Sequence, residues 1–375
     1  MNTNKKTPNI KHQTPEKHQT PNLKTPGRTV LAFDAWCFSG AWCLVFGVFL
    51  LVFGVCGAEP LQIDLATILP RGLGQDFVLR KLEQDWGKAS GGQVILRHSP
   101  GARRDGESGI VKKLRSRNYQ AAVLSATGLS DIEPDVAALQ NMPLVFQSWD
   151  EVDFVREKIR GELEDKLKAK GYVTLFWADT GWVNFFSVRK ASTPAEFKRM
   201  KLFTWAGDSR QVEIMKSLGY HPIALETEDI YSSFASGMIE AAPLTPTFAL
   251  GLRIPTETKA SHVLDINWAP IVGAGIVRKD TWDKIPADLQ PKLLALSVAA
   301  GAELRAEGRK FNADAMKTLA KGPKTEVIEP IPEEKAQWQE LAKDLGPKVK
   351  GNIVPAAIYD EVQSLLTQYR AGKKS

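Results

Sequence analysis

The sequence has no cysteine beyond residue 56. Its three cysteines are Cys37, Cys43 and Cys56. A mature chain that begins at Glu59 would therefore contain no disulfide, no cysteine nucleophile and no thiolate ligand for a metal.

The sequence also lacks the common motifs of hydrolytic and metal sites. No HxH, HExxH or GxSxG pattern occurs, and the histidines after residue 59 are far apart. Gly72-Leu73-Gly74 follows a predicted strand, but Phe77 stands where a dinucleotide-binding turn has its third glycine. Because nothing places a nucleophile beside a base, we expect no enzyme, and we expect no metal or cofactor.

Basic and acidic residues are almost equal in number after residue 58. The whole chain has a formal net charge of +6, but residues 1–58 hold six basic and only two acidic residues. The remainder holds 43 basic and 41 acidic residues, so its surface should be mixed and nearly neutral. This balance gives no reason to expect a nucleic-acid partner.

An uncharged apolar run covers Ala41–Phe53, which is shorter than the roughly 20 residues that a membrane span needs. Basic residues precede the run, and the small residues Gly57 and Ala58 follow it. This order predicts a disordered n-region plus signal peptide over residues 1–58, cleaved after Ala58, and export to the periplasm. Lipid attachment at Cys56, an uncleaved anchor and a downstream start codon are the alternatives.

After residue 59, strand and helix patterns alternate, which predicts an α/β fold with parallel strands. The segment Lys201–Ala241 predicts β-α-β-α-β, with Gly219 and Gly237 ending its helices and Met238–Ala241 as its last strand. A break is expected at Gly181. Helical periodicity runs from Pro286 to about Lys321, beyond the length of an ordinary helix.

Several of these segments resemble the substrate-binding receptors of TRAP transporters, the dicarboxylate-receptor family. The resemblance runs in order over nearly all of residues 60–345. The motifs that carry it are SGGQVILRHSPG, NMPLVFQSWDEVD, EFKRMKL, LGYHPIALETEDIYSSFASGMIEA and TWDKIPADLQPKLLALSVAA.

The resemblance implies a two-lobed periplasmic-binding-protein fold, with hinge crossings and a long helix that spans both lobes. Residues 59–180 and about 270–308 would form lobe I. Residues 181–269 and about 309–375, including the C-terminal helices, would form lobe II. A ligand would bind in the cleft between the lobes.

The sequence departs from the family at three ligand-contact positions. The family has an arginine where this chain has Phe203, and a second arginine, after a Gly-aromatic pair, where it has Val183. The polar residue that the family usually has after its Gly-x-x-Asp helix exit is also replaced, because Glu240 is followed by Ala241-Ala242-Pro243-Leu244. An arginine fork matches a carboxylate in plane and spacing, so its loss predicts a ligand other than a simple dicarboxylate.

The predicted ligand site is mostly aromatic and aliphatic, with a few polar groups that orient the ligand. Asp179 and Thr247 are further polar candidates. The predicted ligand-binding residues are Trp182, Val183, Phe203, Trp205, Leu244, Asn184, Thr245, Trp268, Gly74 and Arg103.

We therefore expect an extracytoplasmic solute receptor that captures an apolar, aromatic or amphipathic small molecule. It would deliver this ligand to TRAP membrane permease subunits and act as a monomer. The alternative is a ligand-gated sensor or accessory interaction protein on the same fold.

Overall fold

The structure, a computed structural model, describes residues 59–69, 71–72, 74–100, 106–206 and 209–373. The predicted signal peptide and the segment with Arg103 lie outside these ranges. Within them, no helix combines the length and the apolar sequence needed to cross a membrane.

The first lobe is built on a mixed sheet with the strand order β2-β1-β3-β10-β4. Strand β1 runs parallel to β2 and β3, whereas β10 runs antiparallel to β3 and β4. The short apolar run Ala121–Ser125 forms the buried strand β3, as expected for a strand covered on both faces. The strands are β1 Leu61–Thr67, β2 Val94–Pro100, β3 Ala121–Ser125, β4 Tyr172–Trp182 and β10 Pro270–Arg278.

The second lobe is built on a sheet with the order β11-β9-β5-β8-β6-β7. Strand β6 runs parallel to β7 and β8, as the β-α-β-α-β pattern predicts. Strand β5 runs antiparallel to β8 and β9. The strands are β5 Asn184–Ser187, β6 Lys201–Trp205, β7 His221–Leu225, β8 Ala241–Leu244, β9 His262–Leu264 and β11 Glu326–Ile328.

Helices cover both faces of both sheets. Side-chain caps begin some of them: Ser148 caps α4, Thr193 caps α5 in a capping box with Glu196, and Thr245 caps α8. The helices are α1 Gly74–Ala89, α2 Gly106–Arg115, α3 Ala126–Ser130, α4 Trp149–Ala169, α5 Pro194–Lys198, α6 Ser209–Ser217, α7 Ile230–Ser236, α8 Pro246–Gly251, α9 Ile254–Glu257, α10 Lys279–Trp282, α11 Gln290–Lys321, α12 Pro332–Val349 and α13 Ala356–Gly372.

Each sheet separates two apolar cores, because successive residues of a strand point to opposite faces. In β3, Ala122 and Leu124 lie in the core beside α4, whereas Ala121 and Val123 lie in the core beside α1. In β6, Leu202 packs with α5 and α12, whereas Phe203 packs with α7 and α8.

The long helix α11 confirms the expectation of an element that spans both lobes. Its residues Leu293 and Leu304 lie in a first-lobe core, and Leu319 lies in a second-lobe core. Two glycines, Gly301 and Gly308, let the helix approach β4 closely. A Cβ atom on Gly308 would lie 2.2 Å from the Asp179 carbonyl oxygen.

Two boundaries differ from the sequence prediction. Strand β8 is Ala241–Leu244, not Met238–Ala241, because Gly237 adopts φ 75° and the chain needs three more residues to reach the sheet. Gly181 does not end a strand: β4 continues through it to Trp182, with φ 148° at the glycine.

The last helix also differs from the expectation that residues 309–375 belong to the second lobe. The apolar face of α13, with Ile358, Val362 and Leu366, packs in the first-lobe core beside α4. Arg370 fixes this docking with 2.8 and 2.9 Å hydrogen bonds to the two carboxylate oxygens of Glu151. The preceding helix α12 does lie on the second lobe, where Trp338 and Leu341 are buried.

Candidate ligand cleft

Two chain segments cross between the lobes side by side. Val183 connects β4 to β5, and residues 265–269 connect β9 back to β10. The Val183 N–H donates to the Ala269 carbonyl at 2.9 Å, and the Trp268 N–H donates to the Val183 carbonyl at 3.0 Å. The crossing is therefore a short hydrogen-bonded ribbon, and four predicted ligand-binding residues, Trp182, Val183, Asn184 and Trp268, lie on it or on the strands it joins.

Trp182 and Val183 face different environments, as neighbours in an extended segment do. Trp182 is buried in a first-lobe core, where its ring centroid lies 4.8 Å from that of Trp149 on α4. Val183 and Trp268 are buried in a second-lobe core. Leu144, from the first lobe, packs against this core, and its N–H donates to the Trp268 carbonyl at 2.7 Å.

Phe203 and Leu244 lie together on the other face of the second sheet. Both belong to one apolar core, and the side chain of Phe203 is 0% exposed. Trp205, two residues along the same strand, contacts Phe203 edge to face at 4.7 Å and remains 37% exposed. Of the aromatic candidates, Trp205 therefore offers the largest accessible surface.

The polar candidates Asn184 and Thr245 already have partners. Asn184 Nδ2 donates to Asp265 Oδ1 at 3.2 Å and to the Ile266 carbonyl at 3.3 Å. Thr245 Oγ1 accepts the Phe248 N–H at 3.3 Å as the cap of α8. Burial raises the pKa of Asp265, and Glu329 adds to the effect, while the Asn184 hydrogen bond opposes it.

Gly74 lies apart from the crossing ribbon, at the start of α1. Its missing side chain makes room for the ring of Phe311 on α11, because a Cβ atom there would lie 1.9 Å from the ring. The preceding turn is closed by Asp76, whose Oδ2 accepts the Gly72 N–H at 2.9 Å. The predicted contact at Arg103 falls outside the described residues.

The structure thus distributes the candidates over connected but distinct surfaces. Asn184, Phe203, Trp205, Leu244 and Thr245 lie on or directly after one face of the second sheet, since Asn184 pairs with Leu244 and Phe203 shares a core with Leu244. Val183 and Trp268 lie on the opposite face of that sheet. At all three positions where the resemblance implies polar contacts, the side chain is apolar and buried.

A charged cluster beside the crossing is absent from the sequence prediction. Arg309 on α11 donates from Nη1 and Nη2 to Asp153 at 2.8 and 2.6 Å, and from Nε and Nη2 to Asp179 at 3.0 and 2.7 Å. Arg156 on α4 donates to Asp153 at 2.6 Å and lies 3.5 Å from Asp179. Asp179, a predicted polar contact, is therefore engaged inside the protein.

Burial raises the pKa values of Asp153 and Asp179, whereas pairing with arginine lowers them. Burial alone would raise the pKa of Asp153, but the Arg309 hydrogen bonds and the charges of Arg156 and Arg309 outweigh it and lower the pKa. The completely buried Asp179 has its pKa raised by burial, and the same arginines offset part of that rise.

A second contact missed by the sequence reasoning joins α11 to the crossing. Asn312 is buried against Gly181, where a Cβ atom would lie 2.2 to 2.6 Å from the Asn312 side chain. Gly301 and Gly308, seven residues apart inside one helix, were the available signal, because glycine in a helix interior usually marks a close contact.

The first lobe brings a carboxyl group to the end of strand β3. Glu107 accepts the Ser125 N–H at 2.6 Å, the Ser125 Oγ–H at 2.5 Å and the Gly128 N–H at 3.1 Å. Burial raises the pKa of Glu107, although these hydrogen bonds oppose the rise. Since the carboxyl ends of parallel strands border the ligand crevice in open α/β sheets, the Glu107 carboxyl group lies at the edge where a ligand is expected.

Two surface hollows lie away from the crossing. One, of about 520 Å³, lies between α1 and α11 near Lys88 and Lys292. The other, of about 460 Å³, lies near Lys170 and Arg278 at the far end of the first sheet. Within the described ranges, no group of three or more His, Cys, Asp or Glu residues is arranged to hold a metal ion.

Two α/β lobes joined by a crossing ribbon and a shared long helix define a TRAP-type solute-binding protein. The chain belongs to the bacterial extracellular solute-binding protein family 7, the DctP family, whose profile matches residues 72–350. Membership confirms both the predicted family and the expectation of a binding protein and not an enzyme.

Relatives agree with this assignment. The chain is 22% identical over 293 residues to the C4-dicarboxylate-binding periplasmic protein DctP of Rhodobacter capsulatus, which covers 76% of this chain and 85% of that protein. A TRAP periplasmic solute binding protein from Ralstonia eutropha H16, with bound (S)-2-acetolactate, has a TM-score of 0.74 at 17% identity, covering 82% of this chain and 99% of that one. Its counterpart from Sulfurospirillum deleyianum DSM 6946, with bound succinate, has a TM-score of 0.72 at 19% identity, covering 81% and 98%. At these identities the two structures establish the fold.

Proposed function

We propose that this chain is the periplasmic receptor of a TRAP-type transport system and captures an apolar or amphipathic small molecule between its lobes. One observation carries the proposal. The positions where the family resemblance implies two arginines and a polar residue hold Val183, Phe203 and Leu244, and all three side chains are buried among apolar neighbours.

The energetics of burial argue against a simple acid as ligand. A carboxylate placed against these side chains would lose its hydration without gaining a partner, at a cost of roughly several kcal/mol. Arg309 cannot readily replace the lost arginines, because its Nε, Nη1 and Nη2 already donate to Asp153 and Asp179. Glu107, at the edge of the first sheet, would repel a second carboxylate if it were ionised.

Neutral polar groups are available to orient such a ligand. Among the described residues, Thr247 Oγ1 on α8 and Asn312 Oδ1 on α11 are buried without a hydrogen-bond partner. Helix α8 packs against both α11 and β4, so the two atoms belong to elements that meet near the crossing. A hydroxyl and an amide oxygen suit a ligand with an alcohol or amide group better than one with a carboxylate.

Transport would follow from closure of the lobes about the crossing ribbon, which a monomer can carry out. The loaded receptor would then release its ligand to TRAP permease subunits in the membrane. A ligand-gated sensor or accessory interaction protein on the same fold is the alternative function. Genes for TRAP permease subunits beside this one would favour transport.

The first experiment identifies the ligand. Protein from the full-length gene is purified from the periplasm, examined by native mass spectrometry, and extracted with organic solvent. We expect a co-purified apolar or amphipathic compound. A co-purified dicarboxylate would contradict the proposal, and a cleft with no bound compound would favour the accessory alternative.

A matched pair of ligands then measures the effect of a carboxylate charge on binding. Calorimetry with 1-octanol and octanoate compares one chain length with and without a carboxylate. We expect 1-octanol to bind about tenfold or more tightly than octanoate, since tenfold corresponds to about 1.4 kcal/mol. Succinate should give no measurable heat. Trp205→Ala should weaken 1-octanol binding, whereas Phe77→Ala, which alters an exposed aromatic of the first lobe, should not.

A further inference from the structure

The guanidinium of Arg309 joins three elements at the crossing. Its two carboxylate partners come from α4, through Asp153, and from β4, through Asp179. Its guanidinium carbon, Cζ, lies over the ring of Trp149 at 4.4 Å from the ring centroid. A lysine could reproduce the charge but neither the fork nor the stacking.

Neighbouring contacts fix α11 along the same stretch of β4. Arg305 Nη1 donates to the Trp177 carbonyl at 2.7 Å, one helical turn before Arg309. Gly308 leaves no room for a side chain against the Asp179 carbonyl, and Asn312 fills the space beside Gly181. The helix therefore follows β4 from Trp177 to the crossing, with Arg309 at the centre of the contact.

The cluster reaches the candidate ligand cleft through Trp149. One face of this indole lies against Arg309, and its ring also contacts Trp182 at a centroid distance of 4.8 Å. Trp182 immediately precedes Val183 and Asn184, which lie on the crossing ribbon. Two direct ring contacts therefore connect Arg309 to the residue that precedes the crossing.

We propose that Arg309 is a positioning residue for the ligand cleft. By holding Trp149 between its guanidinium and Trp182, it fixes the segment from Trp182 to Asn184 in the orientation that the ligand meets. The part of this proposal that concerns ligand affinity rests on the proposed function. The part that concerns Trp182 does not.

The test compares two Arg→Lys variants of the full-length gene product. Arg309→Lys keeps the charge and loses the fork and the stacking. Arg160→Lys is the matched control, because Arg160 lies on α4 and pairs with Glu157 at the half-exposed surface. Both proteins are labelled with 5-fluorotryptophan, and the ¹⁹F resonance of Trp182 is assigned with Trp182→Phe.

We expect the Trp182 resonance to shift or broaden in Arg309→Lys and to stay unchanged in Arg160→Lys. An unchanged Trp182 resonance in folded Arg309→Lys would overturn the proposal. If that variant does not fold, Trp149→Leu removes the connecting ring but keeps the ion pairs. The Trp182 resonance must then move in Trp149→Leu, and its failure to do so would equally overturn the proposal.

Ligand affinity is measured separately with the neutral fluorescent probe N-phenyl-1-naphthylamine. We expect its affinity to fall about threefold to thirtyfold in Arg309→Lys and to change less than about twofold in Arg160→Lys. Equal affinities in the two variants would overturn the ligand part of the proposal. A wild-type protein that does not bind the probe would count against the proposed function, while the ¹⁹F result would still decide the role of Arg309.

Discussion

The charged cluster around Arg309 lies beside the crossing, and the apolar core around Phe203 lies in the second lobe. The two are stabilised in opposite ways. The cluster buries ions and satisfies them internally, so that Arg309 meets two carboxylates and an indole. The core has hydrocarbon where the family resemblance implies an arginine for the ligand. In the described residues, arginine–carboxylate pairing here joins α11 to α4 and β4, whereas the positions that the resemblance implies for ligand arginines hold apolar side chains.

Of the variants considered, Asp179→Ala in the charged cluster should cause the largest loss of stability. Asp179→Ala leaves Arg309 with one carboxylate and leaves the nearly buried Arg156 beside an empty site. Since loss of one partner of a buried ion pair leaves an uncompensated charge inside the protein, we expect the free energy of unfolding to fall by about 3–5 kcal/mol. Urea denaturation measures it.

The matched control for that variant is Asp314→Asn, on the same helix. Asp314 pairs with Lys317 at 3.1 Å and is half exposed, so its loss should cost less than about 0.5 kcal/mol. Similar costs for the two variants would mean that the Arg309 cluster is no more than a surface ion pair.

Phe203→Ala tests the apolar core of the second lobe. The ring is completely buried, so its removal should leave a cavity and cost about 3–4 kcal/mol of unfolding free energy. Phe77→Ala is the control, because the Phe77 side chain is 61% exposed and should contribute less than about 0.5 kcal/mol. Thermal and urea unfolding should rank the two variants in this order, and a tolerated Phe203→Ala would argue that Phe203 faces an open cleft.

Gly181→Ala tests the close contact between the crossing and Asn312. The new methyl group would collide with Asn312, and φ 148° is unfavourable for alanine, so we expect a loss of about 2–3 kcal/mol. Asn312→Ala in the same chain should restore about 1 kcal/mol of it, which a double-mutant cycle would show.

Gly161→Ala provides the control of opposite sign. Gly161 lies in α4 with nothing within 4 Å of a built Cβ atom, so alanine should stabilise by roughly 0.5–1 kcal/mol. Destabilisation by both glycine variants would remove the contact with Asn312 as the explanation.

Apart from the control variants, the smallest expected effect concerns Asp76, a carboxylate that accepts several hydrogen bonds at the start of α1. Burial alone would raise the pKa of Asp76, but hydrogen bonds from the Gly72 N–H, His98 and Arg80 outweigh it and lower the pKa from 3.8 to about 2. A depressed pKa stabilises the fold above the unfolded value, and this contribution is lost as the pH falls through the folded value. The relevant window therefore lies between about pH 4 and pH 2.

Asp76→Asn should accordingly lower the free energy of unfolding by about 1–2 kcal/mol at pH 7, and the difference from wild type should vanish near pH 2. Urea denaturation at a series of pH values measures this. A difference that stayed constant with pH would show that the amide loses shape or hydrogen bonds and not charge.

Much of the fold could be predicted from the sequence because it depends on local patterns. Apolar alternation located β1, a continuous apolar run located β3, glycines with positive φ ended α6 and α7, and helical periodicity located α11. The strand after Gly237 was misplaced by three residues, because apolar residues around a glycine turn fit more than one register.

The candidate site was predicted less completely. The absence of arginine at positions 183 and 203 is visible in the sequence, and the structure adds that both side chains are buried. The sequence indicated Asp179 as a polar candidate but not its pairing with Arg309, because Arg309 lies 130 residues later and no local pattern connects the two.

The sequence alone determined the α/β order, the long helix, the family and the apolar residues at positions 183 and 203, since each is a property of residue type or short-range spacing. Only the tertiary structure decided that Arg309 meets Asp153 and Asp179, that Asn312 fills the space beside Gly181, and that α13 returns to the first lobe. These contacts depend on which distant segments pack together, and packing is fixed by the whole set of buried surfaces at once.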